Sequence, residues 1–297
     1  MEKEIIEKYE KAGKIAKEVR EFSKSLIFDG SAMLNIAEKI EAKIVELGGK
    51  PACPVNLSLN NIAAHHTPKF GDNIFLKKGD LIKVDFSVHV DGYVADTAYT
   101  EEIGTTEWKN LIKASKEALD SALKVVKPGI TVSEIGAAIE KEIRKYGYVP
   151  ITDLSGHSLD EYMLHGGLHI PNFDNKSTQV IEEGTVVAIE PFATNGNGGI
   201  RDLSEVEIFS IENPKPVRMQ IARKILEFAA EEYQTLPFCK RWLIKKFGAF
   251  GIEAGMKELM KVEALHGYAA LKETGNGMVS QHEHTVIVLE KPIVTTL

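Results

Sequence analysis

Leu81-Ile82-Lys83-Val84-Asp85-Phe86-Ser87-Val88-His89-Val90-Asp91-Gly92-Tyr93-Val94-Ala95-Asp96-Thr97-Ala98-Tyr99-Thr100 is the stretch on which the architecture turns. Val84, Phe86, Val88 and Val90 alternate with Asp85, Ser87 and His89, the period-two pattern of a strand. Asp91-Gly92 signals a two-residue turn, and Tyr93 to Thr100 returns as the partner strand. Such a turn sets 90 opposite 93, 88 opposite 95, 87 opposite 96 and 85 opposite 98. Asp85 and Asp96 therefore share a face at a diagonal, about 7–8 Å apart at the backbone, within reach of two short side chains converging on a pair of ions. Val84, Phe86, Val88, Ala95 and Tyr99 take the other face. Two carboxylates on the inner face of an apolar hairpin are costly unless paired, protonated or bound to cations. An exposed face that tolerates Asp is the alternative this hairpin alone leaves open.

Other strand-like segments carry acids of the same kind. Glu190 ends the apolar run Val186-Val187-Ala188-Ile189 and is followed by Pro191, and Glu283 sits between His282 and His284 at the head of Thr285 to Leu289. Ser155-Gly156-His157 and His165-Gly166-Gly167 with His169 add imidazoles in a glycine-rich region, where backbone can approach a ligand closely. Four carboxylates and one histidine suit a pair of hard to borderline divalent cations such as Mn, Fe, Co or Zn.

Around these segments the chain reads as one soluble globular protein. Of 297 residues, 43% are hydrophobic and 27% charged, close to the globular average, which excludes disordered, fibrous and disulfide-stapled classes. A net charge of −7 argues against a general attraction to nucleic acid or anionic lipid. Cys53 and Cys239 alone build neither a disulfide framework nor a thiolate zinc site, and free thiols suit a reducing compartment. The charged N-terminus does not read as a signal peptide, and no apolar run approaches the roughly 20 residues of a membrane span, so a cytoplasmic protein is expected.

Ile5, Tyr9, Ala12, Ile15, Val19 and Phe22 mark a long amphipathic helix, and after Asp29-Gly30 a second helix capped by Ser31 runs to Gly48-Gly49. The same order returns through Trp108 to Val126, Pro128-Gly129 and a helix ending at Gly147. At an offset of 99, Gly30/Gly129, Ile36/Ile135, Ile40/Ile139, Glu41/Glu140, Ile44/Ile143, Gly48/Gly147 and Pro51/Pro150 are identical. The fold class expected is mixed α/β (α+β), a pseudo-symmetric sandwich with a central cleft, against the alternative of two similar but unrelated units. From Asn195 the texture changes: Val206 to Ile211 reads as a strand, and Arg218 to Tyr233, Arg241 to Phe247 and Ile252 to Tyr268 as helices. The division expected is a catalytic body of residues 1–194 and 271–297 and a mainly helical insert of 195–270. A basic run within it includes Lys240, Arg241, Lys245 and Lys246.

Asn60-Asn61-Ile62-Ala63-Ala64-His65-His66-Thr67-Pro68, the 85–96 segment, Ser155-Gly156-His157-Ser158, His165-Gly166-Gly167 and Gln281-His282-Glu283-His284-Thr285, in this order, carry a resemblance to the methionine aminopeptidases. Over essentially the whole chain the sequence resembles their type II members in the short form found in archaea, in which an insert separates the fourth and fifth ligands. The resemblance implies the pita-bread fold, with a central antiparallel sheet, outer helices and a helical insert. It also implies removal of the N-terminal methionine from nascent proteins. Asp85 would chelate one metal, Asp96 and Glu283 would bridge two, and His157 with Glu190 would complete the second. A hydroxide held between the ions would attack the first peptide bond. Glu190 would accept and pass on the proton, His165 would bond the developing oxyanion, and His65 would contact the scissile nitrogen or leaving amine.

Leu164, Phe192 and Cys53 match positions of the methionine pocket, and a small second substrate residue is expected. Cys53 and His66 depart from the family, which usually has an aromatic residue and Tyr there, so a widened pocket is possible. Nascent N-termini are the expected partner, the protein a monomer, and the basic run a candidate for docking near ribosomal RNA. Three rivals remain. One is an Xaa-Pro dipeptidase or aminopeptidase P, which usually carries a separate domain ahead of the catalytic one. Another is a non-catalytic relative that binds RNA or protein, and the last a thiol hydrolase using Cys53 with His157.

Overall fold

A computed structural model describes all of residues 1–297. From the N-terminus, α1 (Lys3–Lys24) and α2 (Met33–Glu46) lead through β1 (Lys50–Pro51), β2 (Asn56–Leu59) and β3 (Ile62–Ala64) into the hairpin of β4 (Leu81–Val90) and β5 (Tyr93–Glu102). α3 (Lys109–Val125) and α4 (Val132–Lys145) then repeat the helix pair, followed by β6 (Val149–Pro150), β7 (Ser155–Leu159), β8 (His169–Pro171), β9 (Val186–Ile189) and β10 (Phe192–Thr194). After them come β11 (Ile200–Ile211), α5 (Gln220–Glu232), β12 (Phe238–Cys239), α6 (Lys240–Phe247), α7 (Ile252–Lys261) and β13 (Leu265–Glu273). β14 (Val279–Gln281), β15 (Glu283–Ile287) and β16 (Ile293–Val294) end the chain.

Asp91 and Gly92 take φ 50 and φ 90, the left-handed pair that a tight hairpin turn needs. The register that follows sets Ser87 opposite Asp96 and Asp85 opposite Ala98, as the turn length dictates. This hairpin anchors one half of an antiparallel sheet ordered β1-β4-β5-β15-β9-β7-β8, with β2 on β4 and β16 on β15. α1 and α2 bury Ala12, Ile15, Val19, Ile36 and Ile40 against Val84, Phe86 and Val88. α3 and α4 bury Leu111, Ile135, Ile139 and Ile143 against Val187, Ile189 and Val286. Each such large apolar side chain contributes about 1.5–3 kcal/mol by leaving water. The helices thus line one face of the sheet, and Asp85 and Ser87 of β4, Asp96 of β5 and Glu283 of β15 face the cavity on the other side.

Three local expectations are corrected. Ser31 does not cap α2: the N-cap is Ala32, and the Ser31 hydroxyl has no partner. The segment read as a helix from Ile252 to Tyr268 stops at Lys261, where Glu263 at φ 57 turns the chain, and β13 then pairs with β11 over nearly its whole length. Burial alternates too weakly in Leu265–Glu273 to signal that strand, which is made by its partner. Residues 195–270 accordingly hold a long antiparallel strand pair beside their three helices, with an apolar cluster of their own around Phe209, Ile225, Phe238, Leu243 and Leu259.

Candidate metal centre

Asp85 enters from β4, Asp96 from β5, His157 from β7, Glu283 from β15, and Glu190 from the residue after β9. All five line one cavity of about 320 Å³. Single ligand atoms of Asp96, His157 and Glu283 lie within 4.8 Å of one another. His157 Nε2 is 3.6 Å from Glu190 Oε1 and 3.9 Å from Asp96 Oδ2. Asp85 and Glu190 are joined from opposite halves by one amide, Gln281 Nε2, which donates to Asp85 Oδ2 at 3.0 Å and to Glu190 Oε2 at 3.2 Å.

No lysine or arginine pairs with any of these four carboxylates; His157 is the sole basic side chain at ion-pairing distance. Burial raises the carboxyl of Asp85 to about 6. Burial, then the neighbouring carboxylates, hold Asp96, Glu190 and Glu283 well above their ordinary values. His157 is lowered to about 4, first by burial, so its imidazole is neutral. The buried Glu283 Oε2 and His157 Nδ1 have no hydrogen-bond partner. Like-charged buried acids, orphaned acceptors and a neutral imidazole are a donor set that fits divalent cations, which would replace mutual repulsion by attraction.

The histidines expected beside the ligands converge too. His165 stacks edge-on against His157 with centroids 4.7 Å apart, and His65 lies 6.5 Å from His165. His65 adopts φ 61, an uncommon conformation for a non-glycine residue, at the residue immediately after β3. Burial lowers His65 to about 4 and, with His157 and His65 nearby, holds His165 well below its usual value, so both are neutral donors. Cys53, Leu164 and Phe192 are buried and line the same cavity. The Cys53 thiol is pushed well up by burial and by Asp85 and Asp96, which removes its nucleophilic form and disfavours the thiol hydrolase.

Other histidines have structural partners: His66 Nδ1 bonds the Leu57 carbonyl at 2.8 Å, and His89 Nδ1 accepts from the Gly92 amide at 3.1 Å. Two residues of the site escaped the sequence reading. Tyr268 packs 5.7 Å from both His65 and His165 and bonds Ser210, but lies where a helix was expected. Gln281 heads the quoted Gln281-His282-Glu283 motif, and its amide role needed the strands on either side. Within the basic run, Arg241 is fully buried and forms a two-pronged pair with Glu41, 2.7 Å on each prong. Lys240 pairs with Glu207 and Lys245 with Glu38.

A buried acid cluster with an imidazole and two further neutral imidazoles at its mouth defines the site of a metal-dependent hydrolase. The chain belongs to metallopeptidase family M24, which it matches over residues 7–210. A methionine aminopeptidase of Pyrococcus horikoshii is 48% identical over 291 residues, covering 98% of each chain. Among solved structures, a thermophilic Arx1 superposes with a TM-score of 0.87 at 17% identity, over 99% of this chain and 91% of that one. A methionine aminopeptidase from Rickettsia prowazekii gives 0.72 at 19% identity, over 100% and 98%. Both structural likenesses are of fold. No helix is long and apolar enough to cross a membrane.

Proposed function

We infer that this metallopeptidase removes the N-terminal methionine of proteins and peptides. The observation that carries the reading is the convergence of Asp85, Asp96, His157, Glu190 and Glu283 on one cavity, in a chain similar at full length to methionine aminopeptidases. These five residues would hold two divalent ions of Co, Mn, Fe or Zn. Bound there, the ions would acidify a water and polarise the scissile carbonyl. Glu190 takes up the proton released on attack at a carboxyl oxygen and returns it to the leaving amine. His165, neutral, donates a hydrogen bond to the oxygen that gains charge, and His65 meets the scissile nitrogen. Leu164, Phe192 and Cys53 exclude water around an unbranched thioether.

The same reading assigns residues 1–194 and 271–297 to the catalytic body and 195–270 to an insert. Its separate apolar cluster and the Glu41–Arg241 pair that ties it down support that division. The protein acts as a cytoplasmic monomer on nascent N-termini. Ribosomal docking through the insert would fall to Lys245 and Lys246, since Arg241 is withdrawn from the surface. Charge reversal at both should then weaken salt-sensitive co-sedimentation with ribosomes. The deciding assay is amino-acid release from a Met-Ala-Ser peptide and an Xaa-Pro dipeptide by metal-stripped protein, with and without added Mn or Co. Metal-restored methionine release alone supports the reading. Cleavage of only the Xaa-Pro substrate replaces the specificity, and cleavage of neither favours a binding protein.

A further inference from the structure

β5 and β15, which carry Asp96 and Glu283, meet through only two residue pairs, Ala98 with Glu283 and Thr97 with His284. Alternation along the strands turns Thr97 and His284 to the face opposite the carboxylates. There a directional chain of hydrogen bonds crosses the seam. Arg20 of α1 donates from Nη1 to Thr97 Oγ1 at 3.3 Å, and the Thr97 hydroxyl donates to the Glu283 carbonyl at 3.0 Å. The Thr97 amide donates to Asp96 Oδ1 at 3.1 Å. Thr285 Oγ1 closes the other side, accepting from the Asp96 amide at 2.7 Å and donating to the Asp96 carbonyl at 2.9 Å.

The same guanidinium sets the state of His284. Arg20 Nη1 lies 3.3 Å from His284 Nδ1, and Thr296 Oγ1, which accepts from the Thr285 amide, lies 2.7 Å from that nitrogen. A guanidinium only donates, so Nδ1 accepts and the imidazole proton sits on Nε2. His282 is the reverse: Ser115 Oγ donates to the Ile112 carbonyl and accepts from His282 Nδ1, leaving Nε2 bare. Arg20 itself is largely buried, and the nearest carboxylate oxygen, on Glu21, is 4.0 Å away. A cation so placed is expensive to desolvate and is compensated here chiefly by the neutral acceptors of the seam.

We propose that Arg20 is a positioning residue for the metal centre, fixing the spacing of Asp96 and Glu283 from behind the sheet through Thr97 and His284. The proposal rests on the reading of Asp96 and Glu283 as ligands, and the test separates the two. Co(II) is titrated into metal-stripped full-length wild type, Arg20→Met, Arg20→Lys, Thr97→Val and Asp96→Asn, followed by calorimetry and by the visible spectrum of the bound ion. Urea unfolding of the metal-free forms runs beside it. Loss of groups that orient metal ligands typically weakens binding about 10–100-fold. That loss is expected for Arg20→Met and Thr97→Val, with a changed Co(II) spectrum at saturation and partial recovery in Arg20→Lys. Unchanged affinity and spectrum in both, whatever their urea midpoints, overturns the proposal and leaves Arg20 a brace. If Arg20→Met does not fold, Thr97→Val, which keeps the side-chain shape, decides alone. If Asp96→Asn binds cobalt as wild type does, the ligand reading falls and the proposal with it.

Discussion

The segments from Gly30 to Asp85 and from Gly129 to Glu190 follow one backbone plan and carry different chemistry. Gly30 and Gly129 take φ 87 and φ 80, and Gly48 and Gly147 take φ 83 and φ 81, so the identical glycines end equivalent turns. Ala32 bridges Phe75 where Thr131 bridges Val180. The fillings then diverge. α4 starts with a full capping box between Thr131 and Glu134, while α2 has none. On the site face, β2 sets Ser58 opposite Lys83, and β7 sets His157 opposite Ala188. Lys83 lies two residues before Asp85 within β4, and Ala188 two residues before Glu190 just past β9, so these are mirrored positions. In the first half Lys83 reaches the Asn60 carbonyl at 2.8 Å and fills the space; in the second a methyl group stands beside His157, which lines the cavity. Glycines and apolar positions preserve the repeat, and a few polar substitutions on one face turn a symmetric sheet into an asymmetric site.

The sharpest way to break this comparison is to mutate the mirrored pair. His157→Ala should lower methionine release on the order of 10³-fold, because a lost ligand removes several kcal/mol of charge stabilisation. Ser58→Ala should leave it within about twofold, and kcat/KM of both variants decides. Next in size, His165→Ala should lower kcat about 10²–10³-fold with little change in metal affinity, as expected for one lost oxyanion donor. Stopped-flow rates at saturating metal would show it.

A smaller effect is expected with pH. Ions bind the ionised carboxylates and neutral His157, so each proton regained on acidification competes with metal. With Asp85 raised to about 6 by burial, and its three neighbours raised as well, affinity should fall as pH drops from 8 through 6, about tenfold per unit for each proton displaced. Calorimetry in two buffers of different ionisation enthalpy would register the protons released.

The smallest effect concerns Lys83, whose amine burial holds well below the ordinary lysine value. Below about pH 10.4 the unfolded chain takes up a proton that the native amine resists, so wild-type stability is lost as pH falls, until the native amine protonates too. Lys83→Met lacks this dependence, and the Asn60 carbonyl keeps its bond from the Val279 amide. Stabilities from urea unfolding should converge near pH 10.5 and favour the variant increasingly as pH falls, by up to about 1.4 kcal/mol per unit for as long as the native amine stays neutral. A constant difference across that range would show that Lys83 is charged in the native state.

Much of this was legible in short stretches of sequence. Period-two alternation and Asp91-Gly92 determine the register of the central hairpin and hence the diagonal of Asp85 and Asp96, because a two-residue turn admits one pairing. Apolar spacing and left-handed glycines determine both helix pairs and their repeat. The expectation of a helix through Tyr268 failed because β13 has a weak pattern of its own and becomes a strand through β11. Gln281 joining Asp85 to Glu190, Arg241 leaving the basic surface for Glu41, and Arg20 meeting His284 were decided by tertiary structure alone. Those pairs lie from 91 to 264 residues apart. Local pattern carries conformation because neighbouring residues share one backbone, whereas the partner of a buried polar group is chosen by whichever distant element packs over it and excludes water.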